Sequence, residues 1–224
     1  MTSPITLYGH GKFILRGGPN PWKVAIILEE LNIPYKTVFM DTSVLHTPVY
    51  EKVNPNGRVP AIEDPNTGIT LWESGAIVEY LVEEYDKENK ITFRSSPEKY
   101  HLKQYLHFQM SGQGPYFGQA AWFTFYQKLP PALERYMKEV KRVVAVLDGI
   151  LKDKEWLVGD KCTYADLAFI PWNQIIPLIF TEETEVFDIK AEYPAYHAWM
   201  ERMFARPAVK KILADWKAAK AAGH

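Results

Sequence analysis

A chain of 224 residues has room for one large domain or two modest ones. Its 26 Lys and Arg balance 27 Asp and Glu to a net charge of −1, which argues against nucleic acid or an anionic membrane surface as a partner. One cysteine, Cys162, rules out an intrachain disulfide and suits a reducing compartment, and no apolar run approaches the roughly 20 residues of a membrane-spanning helix.

Met1-Thr2-Ser3-Pro4 leads into a strand-like run at residues 5–8 without a signal-peptide pattern, so a cytoplasmic location is expected. A glycine-rich loop over 9–20 precedes residues 21–31, where Val24, Ile27, Leu28 and Leu31 recur at helical spacing. Residues 35–40 read as a second strand, followed by a polar connector and a short, weakly periodic segment at 49–53. Val59-Pro60-Ala61-Ile62 and Ile69-Thr70-Leu71-Trp72 read as a hairpin across the turn Asp64-Pro65-Asn66-Thr67-Gly68, and a helix is expected over 74–85. This order predicts a mixed four-stranded sheet with helices, a thioredoxin-like α/β domain over residues 1–87.

Residues 86–97 are charged, contain serine and read as a linker. Beyond them strands largely vanish. Helical periodicity recurs at 98–108, 122–127, 132–151, 164–180, 196–204 and 209–219, so residues 97–224 are expected to form an all-α helical bundle domain. Thr163-Tyr164-Ala165-Asp166 is a capping box and reads as stability rather than chemistry. Cys162, just ahead of it, reads as structural.

The most informative stretch is Asn54-Pro55-Asn56-Gly57-Arg58-Val59-Pro60-Ala61, followed by Glu73-Ser74-Gly75-Ala76. A proline in a strand-like run gives up a ladder donor and belongs at an edge or bulge, where a cis Val59–Pro60 bond holds it most naturally. Val59 then presents its N–H and C=O outward, as a template for an extended peptide added as an extra strand. Glu73-Ser74 opens a helix whose hydroxyl and free amides suit a carboxylate. Together the two motifs describe a site for a short acidic peptide.

In that order and near residues 60–75, these motifs closely resemble the glutathione site of glutathione transferases, and the likeness covers essentially the whole chain. Pro19-Asn20-x-x-Lys23-Val24, Val53-Asn54-Pro55-Asn56-Gly57-Arg58-Val59-Pro60, Leu71-Trp72-Glu73-Ser74-Gly75-Ala76-Ile77 and Gly112-Gln113-Gly114-Pro115-Tyr116-Phe117-Gly118-Gln119 are similar to the nitrogen-regulator-like class of fungal and bacterial members. Trp156-Leu157-Val158-Gly159-Asp160 with the capping box resembles the folding motif of the family's helical domain. The resemblance implies a cytosolic homodimer with glutathione as co-substrate, its thiol activated because the thiolate is the nucleophile.

On that reading Glu73 accepts from the ammonium and Ser74 donates to the carboxylate of the γ-glutamyl end, while Val59, beside Pro60, pairs with the cysteinyl backbone. Arg58 and His46 are candidates for the glycine carboxylate. The plainer alternatives are an N-cap for Ser74 and ordinary surface residues for Arg58 and His46. Large classes of the family activate the thiol with a Tyr, Ser or Cys after the first strand, but residues 8–21 contain neither Ser nor Cys. Tyr8 reads as a packed ring. Asn20 stands before the helix with Pro21 in its first turn, so it reads both as an N-cap and as the catalytic candidate whose amide donates to the sulfur. A lengthened loop brings Phe13, Ile14 and Arg16 toward the cleft mouth. Arg16, Tyr116, Phe117 and Trp122 are candidates for a second-substrate pocket, the aromatic residues reading equally well as core. The expected reactions are conjugation of small apolar electrophiles and glutathione-dependent reduction of disulfides or peroxides. The alternative is a non-catalytic regulatory or ligand-binding module on the same fold. Gly9-x-Gly11 lacks the third glycine of a dinucleotide fingerprint, and the six histidines have no metal-ligand spacing.

Overall fold

In the computed structural model, residues 2–10, 18–181 and 184–222 are described. Ile5, Leu7 and Gly9 are buried and alternate with half-buried Thr6 and Tyr8, the period-two pattern of a strand, giving β1 (Ile5–Gly9). β1 runs parallel to β2 (Tyr35–Phe39), in register from Ile5↔Tyr35 to Gly9↔Phe39. It runs antiparallel to β3 (Ala61–Asp64), which pairs in turn with β4 (Ile69–Trp72). The sheet order is β2-β1-β3-β4, the mixed four-stranded sheet expected. A parallel pair needs a crossover; α1 (Asn20–Glu30) supplies it, and α2 (Pro48–Glu51) lies between β2 and β3. After the hairpin, α3 (Ser74–Tyr85) packs against α1.

β3 begins at Ala61, two residues later than the sequence pattern suggests, because Pro60 has no N–H to offer the ladder. The Val59–Pro60 bond is cis, as the pattern requires. The hairpin turn closes with Gly68 N–H donating to the Asp64 C=O at 2.9 Å, and Gly68 takes φ +75, a conformation glycine adopts without steric cost. The Asp64 carboxylate accepts from Asn66 N–H at 2.8 Å and from the Tyr80 and Tyr85 hydroxyls, tying the turn to α3.

The chain divides into two units, Met1–Ile91 with Pro207–His224, and Thr92–Arg206. This corrects the expected division in two ways. Residues 86–91 are not a loose spacer: the Asp86 carboxylate accepts from Lys90 N–H at 2.6 Å and Ile91 N–H at 2.9 Å, and Ile91 is fully buried. In the second unit the described helices are α4 (Glu98–Phe108), α5 (Gly114–Phe125), α6 (Pro130–Leu151), α7 (Tyr164–Leu167), α8 (Ile170–Asn173), α9 (Ile176–Ile179), α10 (Ile189–Glu192) and α11 (Pro194–Phe204). The expected run at 164–180 is three short helices, since Pro171 and Pro177 each remove an amide donor. The glycines at 112 and 114 do not break the helix. A π-helical turn, Gln109–Gln113, carries α4 into α5, eight residues before the expected start.

The second correction is the last helix. α12 (Pro207–Ala221) belongs to the first unit, where it packs on α1. Val209 and Ile212 are buried, and Lys211 Nζ bridges Glu29 at 2.6 Å and Asp215 at 2.9 Å. With α3 and α12 both against it, α1 is buried on nearly every side, from Pro21 to Leu28. Among the described residues no helix is long and apolar enough to cross a membrane.

Candidate active site

The strand ladders of the first unit stop at a common line. Tyr8↔Ala61 closes the β1–β3 ladder and Ala61↔Trp72 closes β3–β4. The carboxyl ends of β1 and β4 and the amino end of β3 therefore meet at one end of the sheet, and Pro60 and Glu73 leave it side by side. The start of α1 lies against the same end, where a Cβ on Gly9 would sit 3.1 Å from the Pro21 Cβ.

The loop that delivers Val59 is fixed from below. Tyr50 Oη and Asn54 Nδ2 both donate to the Arg58 carbonyl, at 2.8 and 2.6 Å. The Asn54 Oδ1 accepts from Asn56 N–H at 2.9 Å. Val59 packs with Leu45 and Tyr50, and Tyr8, Met40 and Val53 close around them. The side chain of Val59 is thus an anchor while its backbone lies outside both ladders. Gly57, at φ +61, lets His46 approach: a Cβ there would run into the imidazole ring. His46 and Arg58 are exposed and sit on the two segments that meet at Gly57. Tyr50 and Asn54, which hold this loop through the Arg58 carbonyl, are residues that the sequence reading passed over. Asn54 stood in the motif, but only the fold shows that its amide serves the Arg58 carbonyl.

Glu73 occupies φ +71, ψ 111, a region that costs a non-glycine residue of order 1–3 kcal/mol. Such outliers persist where surrounding structure enforces them, and this one turns the chain from β4 into α3. Glu73 remains exposed, while Ser74 is 2% exposed at the first position of α3. No side-chain hydrogen bond caps this helix, so Ser74 is not its N-cap. Instead Lys23 Nζ donates to Ser74 Oγ at 3.1 Å from inside the fold. Lys23 is wholly buried, and that burial lowers its ammonium to about 7, with the Glu73 charge acting in the opposite direction. The signal for Lys23 was present in the sequence: it precedes Ile27 by one turn, on the face that the apolar residues bury.

Asn20 is the first residue of α1 and not its cap, which corrects the sequence reading. Pro19 takes the cap position at φ −84, ψ 0, and its carbonyl accepts the Trp22 N–H at 3.2 Å. Asn20 is half-buried in the first turn, where backbone amides point out of the helix. Tyr8 is committed elsewhere. Its hydroxyl donates to Glu63 Oε2 at 2.7 Å, and burial, then the bond and charge of Glu63, push the phenol up to about 12. A phenol held that way remains neutral and turned toward a carboxylate.

Arg16, with Phe13 and Ile14, lies outside the described residues. Of the aromatic candidates in the second unit, Phe117 is 0% exposed, so the expectation that it lines a pocket is corrected: its ring is core. Tyr116 is half-buried, with the Arg142 guanidinium 5.9 Å over its ring. Trp122 is 49% exposed and stacks on Tyr126 at 4.8 Å. The capping box is formed, with Asp166 accepting from Thr163 N–H and Oγ1 at 2.8 and 2.7 Å, and from Leu157 N–H and Trp199 Nε1 at 2.9 Å each.

Residues 4–83 match the glutathione S-transferase N-terminal domain, and residues 105–207 match the glutathione S-transferase C-terminal domain. The glutathione S-transferase-like protein tpcF of Aspergillus fumigatus is 49% identical over 223 residues, covering 95% of this chain and 96% of its own. URE2P6 of Phanerochaete chrysosporium, solved in complex with oxidized glutathione, is 43% identical with a TM-score of 0.88, over 96% of this chain and 97% of that one. Ure2p5 of the same fungus, cocrystallized with 1-(S-glutathionyl)-2,4-dinitrobenzene, is 38% identical with a TM-score of 0.89, over 99% and 98% of the two chains. By sequence, fold and the local geometry of the sheet end, this chain belongs to the glutathione S-transferase family and stands among its Ure2-like members.

Proposed function

We propose that the protein binds glutathione at the end of its sheet, lowers the pKa of the thiol, and uses the thiolate to attack small apolar electrophiles or to reduce disulfides or peroxides. One observation carries this reading: the cis Val59–Pro60 segment and the Glu73-Ser74 helix head leave the sheet side by side. The Val59 N–H and C=O pair with the cysteinyl unit as an added strand. Ser74 and the first amides of α3 receive the γ-glutamyl carboxylate, and Glu73 accepts from its ammonium. Arg58 and His46 serve the glycine carboxylate at the other end. That places the sulfur toward the start of α1, where the Asn20 amide donates to it and the helix N-terminus favours its negative charge. Among the described residues at this sheet end, Tyr8 is the other family-type candidate, and its bond to Glu63 argues against it.

The conjugating reaction forms a bond from the glutathione sulfur to the electrophilic carbon and expels the leaving group with its electron pair. Exposed Trp122 and half-buried Tyr116 are our candidates for apolar co-substrate contacts, with Arg16 as a source of positive potential. We further place the protein in the cytoplasm as a homodimer with a role in detoxification. Light scattering checks the assembly, a mass near twice 25.8 kDa being expected. The central test is a pH titration of the thiolate absorbance of glutathione bound to the purified protein. A midpoint well below roughly 8.5 supports an activated thiol. Tight binding with an unshifted midpoint favours a non-catalytic binding module instead.

A further inference from the structure

We propose that Gly57 is a positioning residue: the side chain it lacks leaves the space that seats the His46 ring at the glycine end of the bound tripeptide. The pair makes the site prefer glutathione to γ-glutamylcysteine. The inference rests on the glutathione reading given above and adds a residue and a selectivity to it.

The backbone by itself does not demand glycine at 57. Gly57 takes φ +61, but Asn32 and Asn89 hold φ 52 and 56 in the same chain, so asparagine serves a conformation of that kind. What sets Gly57 apart is its surroundings. A Cβ on Gly68, at φ +75, would meet nothing within 4 Å. One on Gly57 would lie 2.6 Å from His46 Cε1, closer still to Nδ1, and 3.0 Å from the Leu45 carbonyl oxygen. A side chain at 57 must therefore push the imidazole away. The ring can swing into solvent at little cost to folding, so the consequence falls on binding.

Two turns meet at this point. Thr47 N–H donates to the Val44 carbonyl at 3.1 Å, and Gly57 N–H to the Asn54 carbonyl at 2.9 Å. His46 lies in the first turn and Gly57 closes the second. Leu45, buried with Tyr50 and Val59, anchors the first, while Tyr50 and Asn54 hold the second through the Arg58 carbonyl. His46 itself stays exposed, so its ring rests on the loop without being covered and keeps an N–H for a ligand.

The strand order decides which end of a ligand meets that ring. Glu73 leaves the sheet from β4 at one edge, and the segment carrying His46 leaves from β2 at the other. Both depart from the same end of the sheet, because β2 and β4 run in the direction of β1. A peptide laid across that end, with its γ-glutamyl carboxylate at Ser74 and its cysteinyl unit at Val59, extends its glycine toward the β2 edge. γ-Glutamylcysteine stops short of it, so a seated His46 favours the tripeptide alone.

The test compares S-hexylglutathione with S-hexyl-γ-glutamylcysteine, both with the thiol blocked, by calorimetry on the wild type, Gly57→Ala, His46→Ala and the double variant. The wild type should bind the tripeptide derivative about tenfold more tightly, the worth of one charge-assisted hydrogen bond. Gly57→Ala should lose about tenfold toward S-hexylglutathione and stay within about twofold of wild type toward the dipeptide derivative. In the His46→Ala background the same substitution should add no loss, since no ring remains to be displaced. Equal losses toward both ligands would overturn the proposal and assign Gly57 to the shape of the loop that presents Val59. An unchanged affinity in Gly57→Ala, a further loss in the double variant, or a wild type indifferent to the glycine each overturns it too. Should Gly57→Ala fail to fold, Gly57→Asn replaces it, because asparagine accepts positive φ and still carries a Cβ. A wild type that binds neither ligand strikes at the glutathione reading itself and is thereby told apart from failure of the role given to Gly57.

Discussion

Asn20 is the residue on which the proposed chemistry depends most, and its place in the first turn of α1 separates chemistry from folding. An N-cap asparagine replaced by alanine costs typically about 1 kcal/mol; Asn20 is not the cap, so Asn20→Ala should lose less than that in urea unfolding. Its effect should instead be kinetic. Removing a donor to a developing or standing anion costs on the order of 100-fold in rate. We therefore expect kcat/KM to fall by roughly that factor, with the bound thiol returning toward roughly 8.5. An unchanged thiol midpoint in the folded variant removes Asn20 from the mechanism. Tyr8→Phe is the contrasting change: the phenol titrates at about 12 and serves Glu63, so the thiol midpoint should stay where it is.

At the scale of elements, two buried polar arrangements do different work. In the segment from α2 to β3, Tyr50 and Asn54 share the Arg58 carbonyl, and the chain on either side of it presents Val59. Asn54→Ala removes one of the two donors and the acceptor of Asn56 N–H. The expected loss is about 1 kcal/mol of stability, together with a several-fold rise in KM for glutathione at nearly constant kcat, the signature of weakened uniform binding. Steady-state kinetics at varied glutathione reads this directly. Asp166, by contrast, lies in the helical unit and accepts from four donors while 0% exposed. Asp166→Ala leaves two backbone amides, an indole and a hydroxyl without their acceptor, and should cost roughly 3–5 kcal/mol in urea unfolding. The capping box legible in Thr163-x-x-Asp166 was local information. That Leu157 and Trp199 also converge on its carboxylate was not, because a partner 33 residues away leaves no mark on the spacing.

For the whole molecule, the return of α12 to the first unit is the decisive feature. Truncation after Arg206 would uncover the face of α1 that α12 covers and delete the burial of Val209 and Ile212. At about 1.5–3 kcal/mol for each fully buried side chain, the truncated chain should lose roughly 3 kcal/mol or more. Thermal unfolding of the shortened protein measures the loss, and an unchanged melting temperature would show that α12 contributes nothing to the first unit. Composition, period-two and helical spacing, and turn chemistry determined most elements of this protein from the sequence by itself, because each depends on residues within one or two turns of one another. The motif around Val59-Pro60 and Glu73-Ser74 was legible for the same reason: proline's missing N–H and a helix opening at Ser74 are local facts. Tertiary structure alone decided what covers each face. It buried Lys23 under Ser74, enclosed Phe117, carried the glycines at 112 and 114 through a π turn, moved the cap of α1 to Pro19, and laid α12 on α1. Each outcome depends on packing between segments far apart in the chain, and a sequence states which face is apolar without stating what will meet it.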